Sequence, residues 1–267
     1  ARHSSPSPNA VGIMAGKGSF NLPDGMPSGD FDGLAAYIRS GKCGGVAFLT
    51  GAGMSVSAGI PDFRSPGGMY DTLRPELLSA TEAQRAQMRS EPTTVVSWPL
   101  FRVNPRPYLE LRRPFILGVA ERQWKPTLAH WFIRACHDRG ILRRVYTQNI
   151  DGLDHQIGVP GERVVSVHGT MGTVSCEFCG AEANVDTFRR RVKKDIKDIY
   201  GVDDDAPSES SLGIACERCG KPGVKPDTVL YGSSLPGRFF QLVDDDDPRT
   251  GDLPNLDVLF IAGTSLT

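Results

Sequence analysis

The sequence has no long hydrophobic run. Nowhere do roughly 20 apolar residues follow one another, so nothing in it reads as a membrane-crossing helix. It also lacks an excess of either charge: thirty Lys and Arg face thirty-one Asp and Glu, for a net charge of −1. No overall field selects nucleic acid or an anionic membrane, and neither is expected as a partner. Cysteine is sparse, six in 267 residues, and a chain this long without a visible secretory signal does not need disulfide staples. There is no internal repeat and no complete GxGxxG. What is present, 39% hydrophobic residues, can build a core and excludes wholesale disorder.

The first acid is Asp24, and before it come Arg2, Lys17 and several serines. An organellar transit peptide and a plain polar tail share that composition, and residues 1–29 are expected to be a disordered tail. A short helix is expected at about 32–40, with Leu34, Tyr37 and Ile38 on one face and Asp32 as its cap. Gly44 and Gly45 then open a buried strand that ends at Thr50. Residues 66–125 read as several helices, with Trp98, Phe101 and Tyr108 as core anchors. Pro126 opens a further helix in which Leu128, Trp131, Phe132, Ala135 and Cys136 recur at helical spacing, and Gly140 closes it. Strands follow at 141–147 and 164–167, and a last buried strand at 256–263. Helix followed by strand predicts an α/β fold with a parallel sheet and chemistry at the strand C-terminal ends. The basic run 189–197 and the acidic run 203–205 are expected to be solvated surface.

Four cysteines fall in two CxxC pairs, Cys176/Cys179 and Cys216/Cys219, with 36 residues between Cys179 and Cys216. Each CxxC turn presents two thiolates to one side of a metal, and two turns complete a tetrahedron. Gly180 and Gly220 after each pair are expected to free backbone amides to face sulfur. Four thiolates leave no open coordination position, so the expected zinc is structural; a redox dithiol is the rival reading.

Gly51-Ala52-Gly53-Met54-Ser55 follows the first strand. Small residues there let a backbone approach a pyrophosphate, and a following helix would offer its N-terminal amides to the anion. A tight structural turn would look the same. Gly59-Ile60-Pro61-Asp62-Phe63-Arg64-Ser65-Pro66 packs an acid, an aromatic, a base and two prolines together, which suits a ligand-ordered loop.

Taken with Thr147-Gln148-Asn149-Ile150-Asp151, Val167-His168-Gly169-Thr170, the two CxxC pairs, Val224-Lys225-Pro226-Asp227 and Gly263-Thr264-Ser265, these segments resemble the sirtuin family, in the family's order, over about residues 33–267. The resemblance implies a Rossmann-like parallel-sheet domain at 30–170 with a helical insertion, a small zinc-binding module inserted at 171–226, and a return to the Rossmann-like domain at 227–267. It implies NAD as co-substrate, a structural zinc, and an acylated-lysine protein or peptide as partner. Gly51, Ala52, Gly53 and Ser55 would lie near the phosphates and ribose. Gly59, Asp62, Phe63, Arg64 and Tyr70 would belong to the mobile cofactor loop, with Phe63 screening the nicotinamide side. Gln148 and Asn149 would hold the nicotinamide ribose, Ile150 and Asp151 the carboxamide pocket, and Gly263, Thr264 and Ser265 the adenosine side. His168 would be the base that activates a ribose hydroxyl, with Asn149 beside it as a catalytic group. The other histidines, including His130, carry no comparable context.

The peptide would pair with open backbone near Val229, Tyr231 and Gly232. Two departures from the family pattern stand out. Ser233 replaces the usual glutamate, which concerns peptide contact. Desuccinylating members carry a tyrosine and an arginine three apart, whereas this chain has Tyr70 and Leu73, which favours an uncharged acyl group such as acetyl. The implied activity is NAD-dependent deacylation of protein lysines, with mono-ADP-ribosyl transfer and an inactive binding module as alternatives. The implied location is intracellular, whether cytoplasm, nucleus or mitochondrion. Because relatives continue with further strand–helix elements, the C-terminal part of the Rossmann-like domain reads as truncated. The strand at 256–263 is therefore expected to lie partly uncovered, and a longer form to be more stable and to bind NAD⁺ more tightly.

Overall fold

The computed structural model describes residues 12–14, 25–27, 30–63, 66–207, 209–243 and 251–265. Its strands are β1 (Gly12–Met14), β2 (Val46–Thr50), β3 (Leu142–Thr147), β4 (Val164–Ser166), β5 (Gly169–Cys176), β6 (Glu182–Ala183), β7 (Val224–Thr228) and β8 (Val258–Ala262). Its helices are α1 (Phe31–Arg39), α2 (Glu82–Ser90), α3 (Trp98–Val103), α4 (Arg106–Ala120), α5 (Leu128–Asp138), α6 (Leu153–Gln156), α7 (Val185–Asp195) and α8 (Gly237–Val243). Among the described residues no helix is long and apolar enough to cross a membrane.

Five strands form one sheet in the order β1-β8-β2-β3-β4. β2 pairs in parallel with β3 on one side and β8 on the other, and β3 pairs in parallel with β4. The chain thus leaves β2 in one direction and returns on its opposite side, so the strand order reverses at β2. Open α/β sheets leave a crevice at such a reversal, outside the strand C-terminal ends. β2 is central because both its faces are apolar: Val46, Ala47 and Phe48 are buried. Phe48 stacks on Phe260 of β8 with ring centroids 4.7 Å apart, and Phe132 of α5 meets both rings edge-on. Burying each such side chain contributes about 1.5–3 kcal/mol.

The remaining three strands form a separate antiparallel sheet, β6-β5-β7. β5 and β7 pair from Gly169 opposite Thr228 to Cys176 opposite Val224. Helices α2, α3, α4 and α7 do not cover the parallel sheet. Their buried side chains, among them Met88, Phe101, Leu109, Phe188 and Val192, share one core with Met171, Val174 and Val224 of the smaller sheet.

Several expectations need correction. Asp30, not Asp32, caps α1, accepting the Gly33 amide at 2.8 Å; Asp32 lies in the first turn. In α5 the cap is Thr127, boxed with His130, and the inward face is His130, Ile133 and Cys136, while Leu128 and Trp131 are exposed. Trp98 is likewise at the surface, whereas Phe101 and Tyr108 are core. The outer edge of β8 is not bare, because Gly12–Met14 pairs with it antiparallel. That also removes these three residues from the expected disordered tail, most of which lies outside the described residues. Asp203, expected as solvated surface, accepts a hydrogen bond from the buried Arg113 at 2.5 Å.

Asp252 fastens β3 to the segment leading into β8. It is fully buried and accepts from Arg143 Nε at 3.0 Å, Arg144 Nε at 2.6 Å and the Tyr146 hydroxyl at 2.5 Å. Burial alone would raise its pKa; the Arg144 and Tyr146 hydrogen bonds outweigh that and hold the carboxyl below its ordinary value. A depressed carboxylate contributes stability above its unfolded pKa, and that contribution is lost as pH falls through the folded value. Asp252→Ala is expected to lower unfolding stability by about 3 kcal/mol at pH 7. The difference from the parent should shrink only in acid below about pH 4, as read by denaturant titration at several pH values.

Candidate functional site

Four strands, β2, β3, β4 and β8, end on the same edge of the large sheet, and sequence segments singled out above follow each of them directly. The loop after β2 and the loop after β3 are joined by buried hydrogen bonds. The Ser55 hydroxyl donates to Asp151 Oδ2 at 2.7 Å. Asn149 Nδ2 donates to the Gly51 carbonyl at 3.0 Å and reaches Ser55 Oγ at 3.3 Å. The second Asp151 oxygen accepts the Leu153 amide at 2.9 Å. With Nδ2 engaged, Asn149 keeps its Oδ1 open as an acceptor. Gln148 is oriented the opposite way: its Oε1 accepts from the Thr264 hydroxyl at 2.8 Å, which leaves its amide NH₂ to donate.

The glycine loop differs from expectation. No α-helix follows it. Two short 3₁₀ turns, Ala52–Met54 and Val56–Ala58, end at Gly59, whose φ is +90°. Most amides of the loop are used internally: Gly51 donates to the Ala262 carbonyl, Gly53 to the Gly263 carbonyl, Met54 to Gly51 and Ser55 to Ala52. Among the described residues, only the Ala52 amide in 51–55 remains without a partner. The glycines serve loop-to-loop contact. A Cβ on Gly51 would lie 2.6 Å from the Gly263 oxygen, and one on Gly53 would lie 2.8 Å from Gly263 Cα. Gly51, Ala52, Gly53, Ser55, Gly263 and Thr264 are therefore brought together, and Ser265 follows at the rim.

His168 stands between β4 and β5. Its Nδ1 lies 3.0 Å from the Gln148 carbonyl oxygen. A carbonyl can only accept, so Nδ1 carries the proton and Nε2 presents a lone pair. The residue is exposed by area, yet enough protein surrounds the ring to disfavour the imidazolium: burial pushes its pKa down, and the Gln148 contact only partly offsets this. The His168 carbonyl accepts the Val229 amide at 2.9 Å, so the residue after β7 is fixed to the proposed base. Tyr231 differs from expectation, because the chain itself occupies its backbone. Its N–H donates to Val96 and its C=O accepts from Trp98, at 3.1 and 2.9 Å. Among the described residues, Gly232 is the member of this segment whose N–H and C=O are both unpaired.

In the loop after Gly59, Phe63 and Tyr70 face one another with ring centroids 6.1 Å apart. The Met69 and Tyr70 amides donate back to the Asp62 and Phe63 carbonyls, at 3.0 and 3.1 Å. Arg64 lies outside the described residues. Leu73 is buried in the core.

The four paired cysteines converge. Their sulfur atoms all lie within 4.8 Å of one another, and Cys176–Cys219 and Cys179–Cys216 are each 3.7 Å apart. A disulfide needs about 2.05 Å. Two thiolates roughly 2.3 Å from one tetrahedral zinc sit about 3.8 Å from each other. The donor set therefore fits zinc and leaves no position for substrate. Gly180 and Gly220 do not aim their amides at sulfur; they donate to the Cys176 and Cys216 carbonyls at 2.8 Å.

Sequence reasoning missed three groups. His130 is fully buried; burial lowers its pKa and the nearby Asp151 charge raises it. Asp154, also buried, lines a small cavity with Thr147, Asn149, Ile150, Ser166 and Thr170. Burial pushes its carboxyl up to about 7, Thr147's hydroxyl opposes the shift and Asp151 adds to it. Arg112 of α4 sits with its guanidinium 5.2 Å from the Phe63 ring centroid. None was legible: His130 sits among apolar residues of a helix and Asp154 follows a glycine turn, where nothing in sequence marks either as buried, and Arg112 beside Arg113 reads as helix surface.

A sequence profile described as the Sir2 family matches residues 51–267. The chain is 37% identical to a Danio rerio protein named NAD-dependent protein deacetylase sirtuin-2, over 88% of this chain and 53% of that protein. It is 32% identical to the Mus musculus NAD-dependent protein deacetylase sirtuin-3, over 87% of this chain and 58% of that protein. The chain thus spans about half the length of these curated relatives. With its segments assembled at the edge of a parallel sheet beside a four-cysteine cluster, and the family profile covering most of its length, the chain belongs to the Sir2 family.

Proposed function

We propose that the chain removes acetyl groups from protein lysines at the expense of NAD⁺. The acyl oxygen would bond to the ribose carbon of NAD⁺ as its bond to nicotinamide breaks, and one water would then complete cleavage of the amide C–N bond, giving nicotinamide, acyl-ADP-ribose and free lysine. The observation that carries this reading is the fixed tautomer of His168. Its Nδ1–H is held by the Gln148 carbonyl, so Nε2 is free to take a proton from a ribose hydroxyl. Asn149 Oδ1 and the Gln148 amide would hold the same ribose. Gly51, Ala52, Gly53 and Ser55 would lie along the phosphates, with Gly263, Thr264 and Ser265 on the adenosine side. Ile150 and Asp151 would receive the carboxamide. Gly59, Asp62, Phe63, Arg64 and Tyr70 would close over the cofactor, with the Phe63 ring excluding water from the reacting carbon. The residues fit a dinucleotide because the strand order reverses here and a buried polar floor lies beneath it. The acyl-lysine peptide would run beside Val229, Tyr231 and Gly232, with Gly232 supplying main-chain pairing.

The four cysteines would hold one zinc. They lie at the far end of the small sheet from His168: Cys176 opposes Val224 at one end of β5 and β7, while Gly169 opposes Thr228 at the other. Zinc would pin the sheet that carries both His168 and Val229, and would take no part in the chemistry.

His168→Ala is expected to lower kcat/KM for an acetyl-lysine peptide by about a thousandfold while NAD⁺ still binds by calorimetry; near-parental turnover would remove its role as base. Because burial disfavours the imidazolium, the base form persists as pH falls. The acid limb of kcat/KM should therefore have its midpoint below 6.5, the ordinary histidine value. Repeating the profile in Asp154→Asn separates His168 from the Asp154 carboxyl, which titrates near 7. For the metal, elemental analysis should give one zinc per chain. Cys179→Ala should lose it and lower the melting temperature; a folded, metal-free parent would contradict the site.

A further inference from the structure

The start of α3 and the turns of the two cysteine pairs share a basic, aromatic surface that the proposed chemistry leaves unused. The Arg102 guanidinium lies 4.8 Å from the Trp98 ring centroid and 5.1 Å from that of Phe178, and the Lys221 ammonium lies 5.1 Å from the same Phe178 ring. Phe178 is a fixed platform, because it sits against Gly223, where a Cβ would collide with its ring. Trp98, Arg102 and Lys221 are exposed. Neither cation's side chain makes a hydrogen bond or an ion pair with any described residue. Glu177, the acid beside Phe178, is engaged by Lys225 at 3.2 Å. A guanidinium stacked on rings is already oriented, and its N–H donors, which lie in its own plane, stay open to a carboxylate.

This surface adjoins the open backbone at Gly232. The Trp98 N–H donates to the Tyr231 carbonyl at 2.9 Å, and Pro99 Cδ lies 4.0 Å from where a Cβ on Gly232 would stand. Arg102 follows one helical turn after Trp98, about 6 Å along α3, which is the span of about two residues of extended peptide. The charge of the neighbourhood has one sign. Residues 92–109, 218–226 and 228–243, which carry α3, the second cysteine pair and the segment after β7, contain six basic residues and no acidic one. Asp227, between the last two, accepts from the Ser175 hydroxyl.

We infer that Arg102, stacked between Trp98 and Phe178 with Lys221 beside it, is a subsite for the protein substrate that receives an aspartate or glutamate side chain a few residues from the acyl-lysine. This rests on the deacylase reading above. Main-chain pairing at Gly232 is indifferent to sequence, so the stacked arginine supplies a preference that the open backbone cannot. The occupant is acidic because two cations share one ring with no carboxylate between them, and an anion placed there meets both.

The test uses the full chain, NAD⁺ and one acetyl-lysine peptide with neutral flanks, in which a single glutamate is placed in turn at each of the five positions on either side. Glutamine at the same place is the uncharged control. In the parent, glutamate in one register should lower the peptide KM about fivefold against glutamine, with kcat and the KM for NAD⁺ unchanged, and the difference should shrink as salt is raised. Arg102→Met should abolish the difference, and Arg102→Lys should keep part of it. A parent that turns over every peptide with no preference for glutamate at any position would overturn the inference and leave the deacylase reading standing. A preference that survives unchanged in Arg102→Met, or one carried by kcat alone, would also overturn it. Turnover of none of the peptides would sink the deacylase reading itself and the inference with it. Should Arg102→Met not fold, calorimetric titration of the parent with the glutamate and glutamine peptides decides the matter: tighter glutamate binding that weakens with salt supports the inference, and equal binding overturns it.

Discussion

The hydrogen bond from Ser55 to Asp151, 2.7 Å long and buried, is the constraint on which the site depends. β2 and β3 are neighbours, but their loops are otherwise free to diverge. This bond, together with Asn149 reaching Gly51 and Ser55, closes them into one floor. A half-satisfied polar network at this depth would cost more than an apolar core, so each member is held by its partners' need for hydrogen bonds. Gly263 completes the floor from β8, seated where only glycines at 51 and 53 allow it. Every further property follows from that floor: which atom Asn149 leaves open, which way Gln148 turns, and where His168 finds the carbonyl that fixes its proton.

The smaller sheet solves a different problem. His168 and Val229 sit on segments about sixty residues apart, and nothing local would hold them together. The β5–β7 ladder does so, and the four-cysteine cluster closes the ladder's distal end. Lys225, buried within β7, is held by Glu177 at 3.2 Å and by the Pro226 and Thr228 carbonyls. The aromatic helices then add the apolar mass that two short strands lack. In this arrangement a zinc held by the four cysteines would touch the site beside His168 only through position, as a structural metal does.

Much of this was readable in the residues. β2 announces itself because a strand buried on both faces is an unbroken apolar run between glycines. The cysteine pairs are legible because metal geometry allows few spacings. The parallel order of β2, β3 and β4 follows from alternation of helix and strand. The rest required three dimensions. The loop after β2 forms 3₁₀ turns in which the Gly53 amide is taken by the Gly263 carbonyl, a residue more than two hundred positions away, and the Met54 and Ser55 amides by the loop's own carbonyls. Trp131 and Trp98 lie at the surface although their spacing suits a core, because His130 and Phe101 take the inward positions. Arg113 and its partner Asp203 are indistinguishable from surface charge in sequence, since only packing decides that Arg113 is buried against the core.

The account's central claim is that these strand ends form one site that moves an acyl group from lysine to NAD⁺. Mass spectrometry of the products from an acetyl-lysine peptide and NAD⁺ tests it most directly. The account predicts deacetylated peptide, nicotinamide and acetyl-ADP-ribose in equal amounts. Peptide that keeps its acetyl group and gains ADP-ribose, or nicotinamide release with no loss of acetyl, would contradict it.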